Sequence, residues 1–337
     1  MSRRAVPPPN ASDPLDGVVA RFGEDLTRAC GGAPAAPVLL AVSGGPDSMA
    51  MLVLAHAAML GGIAAATVDH GLRAEAAAEA ALVATWCAAH QVPHATLKPT
   101  SPIAGASIQA QARGVRYALL AAHARATGAA CIATAHHTDD QAETFLMRAA
   151  RGSGLAGLAG VRMRTVIEEV AVVRPLLDWR RAELRAVVRR LEVPFVDDPA
   201  NADLRHDRTR FRRLLDANEW LDPPNLARAA AALAEVDADV RAAVEWLWAA
   251  HAVVEGGTVR LRLDGLPREL RRRLARRAIA TVRAAAGIDT PAWSDSANIE
   301  PLLDSLADRR RATQAGVSVM PTGGEWRFRS APPRRSH

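Results

Sequence analysis

The chain has 337 residues, long enough for two domains and for a core that needs no covalent staples. It is 49% hydrophobic and 23% charged, which excludes a disordered or collagen-like chain. The net charge of +6 permits a nucleic-acid partner without requiring one, and Lys98 is the only lysine, so nearly all the positive charge is arginine.

Residues 1–14, rich in Pro and Arg, read as a disordered tail with no apolar stretch of a secretory signal. Leu15 to Cys30 has helical spacing, and Val38 to Val42 reads as a short buried strand. Ser43-Gly44-Gly45-Pro46-Asp47-Ser48 follows as a tight polar loop, then a helix from Met49 to Leu60 and a strand from Ile63 to Val68. Met49 to Val68 carries no charge, but Gly61-Gly62 and His56 interrupt it, so it reads as helix plus strand and not as a membrane span. Helices are expected at Ala74–Ala89, Ile108–Thr127, Asp139–Arg151 and Asp178–Leu191. Strands are expected at Ala95–Leu97, Ala130–Thr134 and Val170–Val173, with a Gly-rich connector over Gly152–Gly160. This alternation is the pattern of a parallel α/β sheet. Asp222-Pro223-Pro224-Asn225 marks the expected boundary. Beyond it come helices near 225–253, 267–286 and 295–308, and short strands at Val317–Met320 and Trp326–Phe328.

Cys30, Cys87 and Cys131 are scattered and form no C-x-x-C, so a zinc ribbon, a cysteine-ligated cluster or a disulfide framework is not expected, and a reducing cytoplasm fits. The Gly-rich loop between strand and helix turns backbone N–H groups toward the helix N-terminus, where an anion is favoured. Ser43 and Ser48 add hydroxyls. Asp47 would repel a bare phosphate, and makes sense if Mg2+ lies between them. Asp140 and Glu143 are three apart and share a helix face. They can hold an ammonium and assist its deprotonation, or simply complement the helix dipole. His136 and His137 read as polar lining of a cleft, His56 as a core histidine, and Trp246, Trp248 and Trp293 as core. Two basic clusters stand out. One is Arg205, Arg208, Arg210, Arg212 and Arg213; in the other, nine arginines between Arg260 and Arg283 face only Asp264 and Glu269. On the expected helix there, Arg272, Arg273, Arg276 and Arg277 should project to solvent and suit RNA phosphates.

The loop Ser43–Ser48 resembles the PP-loop of the N-type ATP pyrophosphatases. Further motifs occur in order: Val68-Asp69-His70-Gly71-Leu72-Arg73, Gln109-Ala110-Gln111-Ala112-Arg113 with Arg116-Tyr117, Ala135 to Thr144, Arg151-Gly152-Ser153-Gly154 and Arg174-Pro175-Leu176-Leu177. This set resembles the tRNA(Ile)-lysidine synthetase family over roughly residues 36–215. Two departures are Asp198-Pro199-Ala200-Asn201, with Ala for the family's Ser, and Asp207-Arg208-Thr209-Arg210.

The resemblance implies a Rossmann-like parallel-sheet PP-loop domain over 15–215, a linker over 216–225 and a smaller, mainly helical tRNA-binding domain over 226–330. It implies a cytoplasmic ligase that uses ATP and Mg2+ to join free L-lysine to C2 of the wobble cytidine of the CAU-anticodon isoleucine tRNA. No membrane partner is implied, and a homodimer is compatible with it. The implied nucleotide site is Ser43, Gly44, Gly45, Pro46, Asp47, Ser48, Asp69 and His70, with Asp47 on the metal. Asp47, Asp140 and Glu143 are the implied catalytic residues, with Asp140 and Glu143 on lysine, and Arg113, Arg116, Arg208, Arg272 and Arg276 complete the substrate contacts. The alternatives are a tRNA thiolase, which the scattered cysteines disfavour, and a non-catalytic tRNA-binding protein, which the intact loop disfavours.

Overall fold

The computed structural model describes residues 15–59, 61–71, 75–102, 108–197, 205, 207–263, 265–294 and 297–332. The tail, Leu72-Arg73, Asp198–Asn201 and Asp264 lie outside the described residues. The chain divides into two compact units, Met1–Ala234 and Glu235–His337.

In the first unit the elements are α1 (Leu15–Cys30), β1 (Val38–Ala41), α2 (Pro46–Ala58), β2 (Ile63–Val68), α3 (Ala76–Ala89), β3 (His94–Leu97), α4 (Ile108–Thr127) and β4 (Cys131–Ala133). They continue with α5 (Thr138–Ala150), the single turn α6 (Leu155–Leu158), β5 (Arg164–Ile167), β6 (Val170–Val173), α7 (Arg181–Arg190) and α8 (Asp207–Asp216). The sheet order is β3-β2-β1-β4-β6-β5. All neighbours are parallel except β5, which pairs antiparallel with β6. The central strands are apolar throughout because helices cover both faces: Leu40 and Val38 pack toward α1 and α2, Leu39 and Ile132 toward α4. Helix α2 is apolar all round and correspondingly buried from Met49 to Ala55. The order reverses between β1 and β4, the switch point where open α/β sheets bind ligands. The expected parallel α/β domain is thus present, and the uncharged stretch at Met49–Val68 is indeed helix plus strand. Cys30 and Cys131, far apart in sequence, have their sulfurs 3.5 Å apart.

Helix α9 (Pro223–His251) runs across the boundary. The boundary therefore lies inside a helix and not at Asp222–Asn225, because prolines in a first helical turn start a helix where inside one they would break it. The second unit adds β7 (Ala252–Glu255), β8 (Thr258–Arg262), α10 (Arg268–Ala286), α11 (Glu300–Ala307), β9 (Ala312–Gln314), β10 (Val317–Thr322) and β11 (Glu325–Ser330). Helices remain its larger part, but its framework is a five-stranded antiparallel sheet of order β7-β8-β11-β10-β9, of which the sequence marked only two strands. Trp246 is 70% exposed and is not core, whereas Trp248 and Trp293 pack against this unit's core. Among the described residues no helix is long and apolar enough to cross a membrane.

Candidate active site

The loop after β1 is built around Ser48. Its hydroxyl donates to the Gly45 carbonyl at 2.9 Å and accepts from the Ser43 N–H at 3.1 Å, while the two serine hydroxyls lie 3.2 Å apart. Gly44 has φ +87°, and a Cβ there would come within 3.3 Å of the Glu79 carbonyl, so backbone conformation and space both require glycine. Gly45 is the N-cap of α2 and Pro46 opens it, leaving first-turn N–H groups unpaired toward the loop. Asp47 is in that turn. One of its oxygens lies 3.4 Å from His137 Nε2; the other, Oδ1, is buried with no hydrogen-bond partner.

The loop after β4 meets it. His137 is the N-cap of α5: its Nδ1 accepts from the Asp140 N–H at 3.3 Å, and Asp140 Oδ2 accepts from the His137 N–H at 3.1 Å. His137 is therefore a cap that joins the two loops, not cleft lining. His136 does line the cleft, with Nδ1 3.0 Å from Thr134 Oγ1. Burial pushes its pKa down to about 3; Arg174, Arg208 and Arg113 push the same way and Asp140 opposes them. The cleft, about 200 Å³, is lined by Ser43, Ser48, Arg116, His136, Asp140 and Arg208 among others.

Asp140 and Glu143 share one face of α5, as their spacing predicts, but they are not open carboxylates. Glu143 is fully buried. It accepts from Arg181 at 2.7 Å, Arg208 at 2.7 Å and Arg212 at 2.8 Å. Arg208 also reaches Asp140 at 2.6 Å, so one guanidinium bridges both acids. Burial would raise both carboxyl pKa values; for Asp140 His137 and Arg208 outweigh it and hold the pKa down at about 2, and for Glu143 Arg212 and Arg208 hold it below the usual range. The expected ammonium-holding pair is thus filled by guanidinium groups, and only Asp140 lines the cleft. Arg181 is not singled out by the sequence, and Arg212 is read there only as part of a basic cluster, not as a partner of Glu143. Arg212 lies four residues after Arg208 on α8, a spacing that puts both on one face; Arg181 carries no local signal because its partner is 38 residues away.

Other expected site residues are placed differently. Asp69 turns back on its own strand end, accepting from the Gly71 N–H at 2.9 Å with Lys98 at 3.3 Å, and does not line the cleft. His70 has both ring nitrogens buried without partners, and burial and Arg116 lower its pKa. Arg113 lies over the Tyr117 ring at 5.1 Å. His56 is half-buried, edge-on to Trp86. In the second unit Arg272 pairs with Glu269 and, at 2.6 Å, Glu300. Arg276 donates to the Ala297 carbonyl at 2.9 Å. Neither projects free into solvent as expected: the polar face of α10 meets carboxylates of α9 and α11 and the Ala297 carbonyl just before α11, and Arg273 is only 13% exposed.

Residues 19–218 match the PP-loop domain family. A tRNA(Ile)-lysidine synthase from Novosphingobium aromaticivorans is 41% identical over 96% of this chain and 96% of its own length. One from Zymomonas mobilis is 41% identical over 88% of this chain and 89% of its own. Among solved structures, the U34-tRNA thiolase NcsA from Methanococcus maripaludis superposes with a TM-score of 0.55 at 16% identity, covering 65% of this chain and 80% of that one, a likeness of fold.

Proposed function

Because the chain belongs to the tRNA(Ile)-lysidine synthase family, we propose that it joins the ε-amine of free L-lysine to C2 of the wobble cytidine of the CAU-anticodon isoleucine tRNA. ATP is converted to AMP and pyrophosphate. The product is lysidine, which changes codon reading from AUG to AUA and charging from methionine to isoleucine. The observation that carries this reading is one cleft at the switch point, lined both by the Ser43–Ser48 loop and by Asp140.

Cytosine O2 attacks the α-phosphorus, the P–O bond to the β-phosphate breaks, and pyrophosphate leaves. The lysine ammonium gives one proton to solvent, the free amine forms a bond to C2, the C2–O2 bond breaks, and AMP leaves with that oxygen. The Ser43–Ser48 loop and the α2 N-terminus hold the phosphates through N–H groups and hydroxyls. The orphaned, buried Oδ1 of Asp47 fits a magnesium ligand. Magnesium, when bound, neutralises charge on the leaving pyrophosphate. Asp140, held ionised, shares its oxygens with Arg208 and the His137 N–H and offers its remaining lone pairs in the cleft to orient the lysine ammonium; so strongly depressed a carboxyl is a poor proton acceptor. Glu143 positions Arg208 and Arg212 behind it. Arg113 and Arg116 supply guanidiniums for nucleotide or RNA phosphates, and His70 a ring nitrogen for the nucleotide. The setting is the cytoplasm.

The test is purified protein with ATP, L-lysine and either the isoleucine or the methionine tRNA carrying a CAU anticodon. Lysine-dependent AMP and lysidine in nucleoside digests of the isoleucine tRNA alone are the expected result. AMP formation that ignores lysine would refute the reaction.

A further inference from the structure

The sheet of the second unit has one covered and one open face. Val259, Leu261, Val319, Trp326 and Phe328 pack in a core with Leu274 and Ile279 of α10 and Leu302 of α11. Side chains alternate along a strand, so the residues between them project from the opposite face. On β8 these are Arg260 and Arg262; on β11 they are Arg327 and Arg329, and all four are exposed. The register sets Arg327 directly opposite Arg260, with Met320 on the other flank of Arg327 and Val253 beside Arg260. Arg311 lies over the same face, its Nε donating to Ser318 Oγ at 2.8 Å.

Like charges directly opposed across strands are unfavourable, and nothing inside the unit relieves them fully. Arg260 meets Glu255 at 3.3 Å and Arg262 meets Glu325 at 3.5 Å. Arg327 and Arg329 have no side-chain hydrogen bond or ion pair among the described residues. The arginines of α10 are the reverse case: Arg268, Arg272, Arg273 and Arg277 each hold at least one carboxylate. Arg276 and Arg283 donate to carbonyls and Arg271 holds no carboxylate among the described residues, so α10 answers most but not all of its charge, whereas Arg327 and Arg329 stand exposed and unanswered on the sheet.

We propose that this open sheet face binds the phosphate backbone of the tRNA, with Arg327 and Arg329 as its central contacts. The proposal rests on the tRNA-modifying reading above and names the surface that holds that substrate. Residues two apart on a strand are about 6.8 Å apart, close to the step between successive phosphates of an RNA strand. Guanidinium forks suit phosphate oxygens, and such contacts position an RNA without reading its bases.

The experiment uses the full chain with Arg327→Gln and Arg329→Gln together, neither of which removes an internal ion pair. Isoleucine tRNA is titrated at several salt concentrations. The double variant should raise the Kd on the order of tenfold at about 0.15 M salt and lower the slope of log K against log salt by between one and two. The turnover at saturating tRNA and the KM values for ATP and lysine should stay as they were. Arg327→Lys with Arg329→Lys should restore most of the slope, because the charge returns. A Kd and salt slope equal to wild type in the Gln variant overturn the proposal. So does unchanged tRNA binding accompanied by lost binding to vesicles of anionic phospholipid, which would make the face a membrane contact. The activity is separable: a wild-type chain that binds tRNA but makes no lysidine refutes the reaction, while a salt slope lost in the variant of that same chain still supports the face.

Discussion

Asp47 is one residue inside α2, and its two oxygens meet different surroundings: Oδ2 faces His137 and Oδ1 faces no donor. An ionised oxygen buried without a partner costs stability unless a cation answers it. Asp47→Asn keeps shape and removes the charge, so AMP formation should fall on the order of a hundredfold or more while the fold survives, by comparison with other lost electrostatic stabilisers. Near-normal turnover in a folded variant would remove Asp47 from the metal. His136 gives a second test at the same scale. Its pKa in the folded chain, about 3, lies below the ordinary 6.5, so the unfolded chain binds more protons as acid is added. Its contribution is complete above about pH 6.5 and drains as pH falls toward 3, by at most about 1.4 kcal/mol per pH unit. Urea unfolding at pH 7 and pH 5 should show wild type losing up to about 2 kcal/mol more than His136→Gln. Equal losses in the two proteins would mean that His136 titrates normally.

Helices α5 and α8 are tied by carboxylate and guanidinium where most helix pairs are tied by apolar side chains, for α8 buries only Thr209 and Leu215. Glu143→Gln would leave three guanidiniums around a neutral amide. Breaking a buried pair costs about 3–5 kcal/mol, and the partial exposure of these arginines brings this to about 2–3. For a unit of this size the melting temperature should drop by about 5–10 °C. Asp140→Asn keeps the cap acceptor but gives up the charge that His137 and Arg208 answer, so it should lower the melting temperature by a few degrees and, assayed well below that, raise the KM for lysine while pyrophosphate release without lysine survives. Equal loss of both half-reactions would put Asp140 in the nucleotide site. Both carboxyls have depressed pKa values, so their contribution stands above the ordinary carboxyl range and is lost as the pH falls, for Asp140 as it nears 2. The spacing of Asp140 and Glu143 was legible in the sequence because three-apart residues share a helix face whatever surrounds them. Their occupancy by Arg181 and Arg208 was not, since those partners are 38 and 65 residues away. Elements show the same limit. The long α/β elements announced themselves by apolar runs, whereas β5 joins β6 through Glu168-Glu169, both with positive φ. A hairpin of that kind normally reads Asn-Gly or Asp-Gly, so its turn was silent. β7 and β8 flank Gly256-Gly257, but the arginines alternating with Val259 and Leu261 read as a charge cluster.

The first unit's apolar clusters, around Met49, Leu52 and Trp179 on one face of its sheet and Leu39, Leu120 and Ile132 on the other, share no residue with the core around Leu274, Ile279 and Phe328 in the second, which predicts two melting events in the whole chain. Helix α9 gives Ala230 to the buried set of the first unit and Val244 and Leu247 to the core of the second. The two events should answer to different perturbations. With ATP held by the Ser43–Ser48 loop, as proposed above, a concentration about a hundred times its Kd should stabilise the first unit by about 2.7 kcal/mol and raise only its transition. In the second unit Asp237 is buried and held by Arg273 at 2.7 Å and Arg241 at 3.1 Å. Arg273→Gln should cost about 1–2 kcal/mol, limited because Arg241 still faces the carboxylate. That lowers the second transition by several degrees. The salt dependence of tRNA binding should stay unchanged, because an arginine already answered by buried Asp237 and by Glu269 has little charge left to offer a phosphate. A variant that keeps its calorimetric profile and loses tRNA would return α10 to the RNA interface. One that melts early and still binds tRNA with the wild-type salt slope makes those helix arginines internal supports, which leaves the attraction for RNA to charges the fold has not already paired.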